Sequence, residues 1–280
     1  MKLSLAALVM LLLSFNADAQ KFHANLFAGA SNYQGDLQDK RFTFSQSHFA
    51  GGAGLSYDLT DKFSIRSGIV LGRVSGDDKF GRNKFRNLNF TSNLTEFNLG
   101  FEYYITRIED HALTPYVFAG IALYHFDPYT YDTSRQKFFL KPLSTEGEGF
   151  LTGVKNYSLT QLAIPFGGGV KLSLSDNISV GLELGLRKLF TDYLDDLSTT
   201  YVDQIDLLSN RGAKAVELAY RGNELKNGTP YPAAGTIRGG SKHKDWYYTT
   251  GLTLSFRLGS GNGLGFGGRH SKYGCPVNVN

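Results

Sequence analysis

The chain has 280 residues, enough for one large domain or two small ones, and a formal net charge of only +4 from scattered lysines and arginines. It carries no basic stripe, which argues against a nucleic-acid partner. Its 33 Gly, 16 Tyr and 21 Phe against 2 Met and 7 Pro suggest tightly packed strands and interfacial aromatics rather than helical bundles. The mean hydropathy of -0.22 excludes a polytopic helical membrane protein but not a β-barrel, whose wall is apolar only at every second residue.

At the N-terminus, Lys2 precedes an apolar run from Leu3 to Phe15, and Ala17-Asp18-Ala19 forms a small-x-small cleavage site. Residues 1–19 are therefore expected to be a signal peptide, cut between Ala19 and Gln20. No cysteine follows the site, so no lipoprotein anchor is expected. Beyond it no run approaches the ~18 apolar residues of a membrane helix, and any insertion must be through strands.

Eight segments alternate with period 2. They lie at about 22–30, 48–59, 62–74, 94–105, 115–126, 158–174, 178–188 and 246–258. In the third, Phe63, Ile65, Ile69 and Leu71 oppose Ser64, Arg66, Gly68 and Gly72. In the seventh, Ile178, Val180, Leu182, Leu184 and Leu186 oppose Gly181, Glu183, Gly185 and Arg187. The non-aliphatic face is rich in glycine and carries Arg66, Glu96, Glu102, Lys171, Glu183, Arg187 and Arg257. A soluble sandwich also alternates, but its polar face is solvated and need not be so poor in bulk. The crowded interior of a narrow barrel needs glycine, and its buried charges need partners of opposite sign.

Connection lengths support the barrel. Thr60-Asp61, Thr106 to Thr114 and Ser175 to Asn177 are short, whereas the other four are long, the last running from about 189 to 245. This asymmetry marks outer-membrane barrels. The expected fold is an eight-stranded antiparallel transmembrane β-barrel over 20–258, with short periplasmic turns and long extracellular loops. Side chains fill so small a barrel, which disfavours a diffusion porin. Rows around Leu162, Leu182 and Leu252 are expected to face lipid, with Trp246, Tyr247 and Tyr248 near the outer interface. Ala213 to Tyr220 has helical character, with Val216 and Tyr220 on one side.

The loops hold acidic groups: Asp77 with Asp78, Glu146 with Glu148, and Asp192, Asp195 and Asp196. Such spacing could hold Ca²⁺, but no loop has an EF-hand register, and the expectation is solvated loop charge. His23, His48, His111, His125, His243 and His270 show no HxxxH or HExxH spacing, and there is no GxSxG. Neither a metal, a cofactor nor an enzymatic activity is expected. Residues 259–280 form a glycine-rich tether expected in the periplasm, ending near the single cysteine, Cys275. A lone thiol in an oxidising compartment is a candidate for an intermolecular disulfide; the alternative is an inert thiol.

Several blocks resemble the PorG-like outer-membrane barrels of Bacteroidetes, a component family of the type IX secretion system. They are Ser31 to Leu37, Val74 to Lys79, Arg86 to Leu88 with Phe90, Thr114 to Ile121, Pro142 to Gly149, Ala163 to Gly167, Leu186 to Asp196 and Lys272 to Pro276. The resemblance implies a non-enzymatic scaffold. Its partners would be outer-membrane lipid and a periplasmic ring built by a lipoprotein and a second protein, which the barrel docks to the membrane. The main rival is an adhesion or ligand-binding barrel working through its long loops; an outer-membrane lipid enzyme is the third reading.

Overall fold

The computed structural model describes residues 21–38, 43, 45–106, 111–241 and 244–258. The proposed signal peptide and cleavage site at Ala19 and Gln20, the tail with Cys275, and His243 and His270 lie outside these residues. The strands are β1 (Phe22–Gln34), β2 (His48–Asp58), β3 (Phe63–Asp77), β4 (Asn89–Tyr104), β5 (Leu113–Tyr131), β6 (Lys137–Phe139), β7 (Thr160–Ser173), β8 (Ile178–Leu189) and β9 (Trp246–Arg257). Each pairs antiparallel with its neighbour in the order β1-β2-β3-β4-β5-β7-β8-β9, and β9 pairs back on β1 from His23↔Arg257 to Gln34↔Trp246. The fold is thus a closed eight-stranded antiparallel β-barrel. The short β6 folds back on β5 at Tyr129–Tyr131, beyond the end of β7.

Alternation along each strand sorts side chains into two environments. Leu162, Leu182 and Leu252 face outward and are 60%, 55% and 65% exposed, while inward neighbours such as Ala163 and Glu183 are buried. A continuous aliphatic surface is tolerable only against hydrocarbon, because water would oppose exposing it. From Phe63 to Leu71 the apolar face of β3 spans eight rises, about 27 Å along the strand. At a tilt of ~40° this is about 20 Å of height, close to the apolar band of a membrane barrel. The wall is built to stand in a bilayer.

Closing so narrow a ring requires the strands to approach closely on the inside. Four inward-facing glycine pairs sit directly opposite each other: Gly29↔Gly251, Gly54↔Gly68, Gly100↔Gly120 and Gly167↔Gly185. They fall at every second strand–strand seam, like the corners of a four-sided tube. A Cβ on Gly120 would stand 2.3 Å from the Leu99 carbonyl oxygen and 2.6 Å from the Gly100 Cα. Both are backbone atoms that cannot swing aside.

The structure departs from the sequence expectation in three ways. Strands β1, β3, β4 and β5 run farther toward the long-loop end, because the wall there rises past the apolar belt and outward residues turn polar: Arg73, Asn93 and Asp127. The connection 189–245 contains two helices, α1 (Gln204–Arg211) and α2 (Ala213–Ala219), where one was expected at 213–220. Asp203 caps α1 by accepting from the Ile205 and Asp206 amides, and Gly212, at φ 86°, breaks the chain between the helices. Tyr247 and Tyr248 do not sit at the interface. Tyr247 points into the lumen, and Tyr248 is covered by the segment at Thr43, with which it exchanges hydrogen bonds.

Replacing Gly120 by Ala should destabilise the barrel by about 1–3 kcal/mol, since an added methyl would push on backbone with no room to relax. Ala119→Leu, on the exposed lipid face of the same strand, should be tolerated. Urea unfolding of the protein in liposomes measures both.

Candidate functional site

Strand alternation delivers six of the seven expected interior charges into two ion-pair clusters, one above the other. Nearer the short-turn end, Arg66 Nη1 donates to Glu102 Oε2 at 3.2 Å and to Glu183 Oε2 at 2.8 Å, and Arg66 Nη2 donates to Glu183 Oε1 at 3.2 Å. Lys171 Nζ donates to Glu102 and, at 3.1 Å, to the Tyr104 hydroxyl. The Tyr116 hydroxyl completes Glu183 at 2.8 Å, and the Arg66 guanidinium stacks 4.4 Å from the Phe118 ring. Toward the long loops, Arg187 Nε and Nη2 clasp Glu96 bidentately at 2.9 and 3.1 Å. Glu96 also accepts from the Tyr247 hydroxyl at 2.6 Å and the Asn98 amide at 2.8 Å.

Each carboxylate meets several donors, which is what makes burial of charge bearable. Arg257 differs. It is half-buried at the short-turn end, and its Nε is buried without a hydrogen-bond partner among the described residues.

Above these pairs an aromatic and aliphatic plug continues the filling: Tyr124, Phe126, Phe90, Leu189, Leu194 and Leu197 are each 2% exposed or less. Side chains facing a water-filled channel would be wetted; these are not. The loop-side end of the lumen is a packed core; below it a small cavity of about 50 Å³ remains beside β1–β3, lined by Asn25, Phe27, Arg66, Val70, Asn98 and Thr253.

Of the acidic groups expected to be solvated, Asp77 stays partly exposed and pairs with Lys79 at 2.8 Å, but the other six are buried. Asp78, Glu146, Glu148, Asp192, Asp195 and Asp196 are each at most 2% exposed. Two arginines from distant loops reach them. Arg86 pairs with Asp78 at 2.7 Å and donates to the Arg238 carbonyl. Arg238, itself 2% exposed, donates to Glu146 Oε1 at 3.0 Å and to the Asp196 carbonyl at 2.5 Å. Glu146 further accepts from the Ser198 and Thr199 amides at 2.9 and 2.8 Å, and Asp196 from Tyr157 at 2.7 Å and Thr145 at 2.6 Å. With Arg86 Nη2 donating to the Asp36 carbonyl at 3.1 Å and the Gly240 amide to Asp36 Oδ2 at 2.6 Å, these contacts lock the loops after β1, β3, β5 and β8 into one cap over the barrel. The described residues contain no group of three or more His, Cys, Asp or Glu placed to hold a metal ion. The solvated reading is wrong for all but Asp77, because the other charges are paired or hydrogen-bonded under the cap.

Cations are too few for all the carboxylates. Tyr33 donates to Asp195 and, at 3.4 Å, to Asp245. Burial, then repulsion from Asp36, raises Asp195 well above the carboxylate range; burial, then Asp195, does the same to Asp245. Burial, reinforced by Asp36, pushes Asp192 up to about 7. Burial, reinforced by Asp196 and Glu146, pushes Glu148 up to about 8.

The described histidines make no Ser-His-acid relay. His48 Nε2 lies 2.7 Å from Ser75 Oγ and His125 Nδ1 2.9 Å from Thr160 Oγ1, but the one imidazole bonded to a carboxylate is His23, 2.8 Å from Asp58. His111 is exposed on a short turn. No signal within any single loop could have revealed the Arg86–Arg238 cap, since its members are 152 residues apart.

The raised carboxyls fix a pH dependence. The folded cap holds protons that the unfolded loops would release, so its stability is full below the ordinary carboxylate range of about 4 and declines as pH rises through about 7 to 8. Hydrogen exchange at residues 144–157 and 191–202, corrected for intrinsic rates, should therefore lose protection between about pH 5 and about pH 9. Asp195→Asn should flatten that loss, and unchanged protection across the range would contradict the assignment.

No curated protein matches the sequence. Among solved structures, Neisserial surface protein A matches at a TM-score of 0.43 and 8% identity, covering 85% of this chain and 97% of that one. The outer membrane protein OprG from Pseudomonas aeruginosa matches at 0.41 and 10%, covering 86% and 99%. The outer membrane enzyme PagL matches at 0.31 and 12%, covering 84% and 99%. Likeness at this level fixes no ligand and no activity. A family model described as a domain of unknown function (DUF6089) matches residues 2–209, and the chain belongs to that family.

Proposed function

We propose that this barrel stands in the outer membrane as a non-catalytic anchor, holding a periplasmic, lipoprotein-containing ring of the type IX secretion system against the membrane. The observation that carries the reading is the plugged lumen: a barrel closed by Arg187–Glu96, Lys171–Glu102 and the buried layer of Tyr124, Phe126 and Phe90 offers no open path for solute, which leaves its two ends to act. The resemblance of the loop and tail blocks to the PorG-like barrels supplies the partner class. Both chain ends leave from the short-turn end, where the Leu258 amide donates to the Phe22 carbonyl at 2.7 Å. With that end in the periplasm, the 259–280 tail reaches a ring beneath the membrane, and tethering raises its local concentration there. Cys275 would make the contact covalent.

A second reading, adhesion or ligand binding through the long loops, is favoured by one feature. The cap is well packed, yet it leaves Ile205 and Ile237 72% and 77% exposed. The readings separate by where damage hurts.

A tagged pull-down from detergent-solubilised outer membranes, run with and without reductant beside Cys275→Ser, tests the anchor. It should give a larger, reductant-sensitive species containing a periplasmic lipoprotein, absent in the variant. A barrel that comes alone at monomer size in both samples would refute tail docking and favour the loop reading.

A further inference from the structure

The outer wall changes character abruptly between β3 and β6. One outward row, Ile69, Phe97, Leu123 and Leu162, is apolar and 49–60% exposed across four neighbouring strands. Two residues farther along each strand, about 7 Å along the strand direction, the outward positions are Leu71, Thr95, His125 and Thr160. The next row is Arg73, Asn93 and Asp127, and the one beyond it is Ser75, Thr91, Tyr129 and Phe139. Because the lower row ends the hydrocarbon belt, the upper rows lie at the level of lipid headgroups.

Those rows hold a compact cationic and aromatic cluster. Lys137 Nζ sits 3.7 Å from the centre of the Tyr129 ring and 4.5 Å from that of Phe139. Tyr129 packs edge-on against Tyr131 at 5.8 Å and Phe139 at 6.1 Å. Arg73 is held against Asn93, its Nε 3.1 Å from Asn93 Oδ1, and lies within electrostatic reach of the Tyr129 hydroxyl. Lys137 and Lys141 lie within similar reach of Asp127. Arg73, Lys137 and Lys141 form no ion pair among the described residues, so three cations face one carboxylate. An oriented guanidinium and a lysine ammonium held over aromatic rings are a fit for phosphate oxygens, and the exposed Tyr131 and Phe139 rings, backed by the buried Tyr129, offer an apolar surface for what lies beside the phosphate.

We propose that this outward face, with Arg73 and Lys137 as its cationic contacts, binds the phosphate-bearing headgroup of a membrane lipid in the leaflet at the long-loop end. Two observations select a lipid over a soluble ligand or a protein. The cluster is continuous with the apolar belt below it, so an acyl chain can lie over Leu123 and Leu71 while the headgroup meets the cations. The uncompensated charge is positive, complementary to a phosphate. The site would fix the height of the barrel in the bilayer and select lipids around β3–β6. It rests on the membrane reading of the barrel and is independent of what the tail docks.

The test uses the full chain extracted in neutral detergent, with native mass spectrometry counting retained lipids. The probes are phosphatidic acid, whose phosphate monoester is open, and phosphatidylcholine with the same chains. The parent should retain phosphatidic acid in preference to phosphatidylcholine. The double variant Arg73→Gln with Lys137→Gln should weaken that retention by about tenfold. Lys84→Gln with Lys226→Gln, two exposed loop lysines, should not. Heat-modifiable gel mobility verifies that each variant is a folded barrel. Equal retention by parent and double variant, or no preference between the two lipids, would overturn the site. Failure of the parent to float with liposomes would instead overturn the membrane reading on which it rests.

Discussion

Eight strands closed into a ring leave a lumen about as wide as the side chains that line it. In that space a carboxylate cannot keep its water. Glu96, at 1% exposure, can remain charged only because Arg187 clasps it and Tyr247 and Asn98 complete its shell. The same necessity binds Glu183 to Arg66 and Tyr116, and Glu102 to Lys171. Each pair joins strands that are not hydrogen-bonded neighbours: β4 to β8, β3 to β8 and, across β5, β4 to β7. The interior electrostatics therefore also brace the tube. The glycine pairs are the other half of this solution. By removing side chains at alternate seams, they let the strands turn sharply and free the remaining space for long charged groups.

The filling continues upward without interruption. Above Glu96 and Arg187 comes the aromatic layer of Tyr124, Phe126 and Phe90, then the arginine-centred cap, then the helices with Leu207, Ala215 and Ala219 packed beneath them. The loops are thus an extension of the core rather than a loose fringe. Their one imbalance is the carboxyl surplus around Tyr33, where Asp195 and Asp245 share a hydroxyl donor and have no arginine of their own. Protons take the place of the missing cation, so the cap loosens as pH rises and those protons are lost.

Much of this architecture was legible because a barrel wall writes its environment directly into the sequence: lipid outside, crowding inside, period 2. That contrast placed all eight wall strands and put Arg66, Glu96, Glu102, Lys171, Glu183 and Arg187 on the inner face. It inverts where the wall leaves the membrane: outward Asn93 and Asp127 are polar while inward Leu94 and Phe126 are apolar and buried, so a pattern with the aliphatic side facing lipid ends β4 and β5 too soon. The first loop helix was missed although Asp203 and Gly212 mark its ends. The acidic cap escapes a local reading for a deeper reason. Whether Asp196 or Glu146 is solvated depends on Arg238 folding back over them, a fact of tertiary structure that no local pattern carries. The residue type of Tyr247 suits the interface, whereas its parity in β9 turns it toward Glu96.

Paired charges and aromatics close the lumen, and the role proposed for the two ends of the barrel rests on that closure. Conductance of the purified full chain in planar lipid bilayers tests it most directly. The account predicts insertion without stable open-channel steps at neutral pH. Reproducible, long-lived conductance steps from the folded barrel would show a continuous water path past Arg187 and Glu96 and would contradict it.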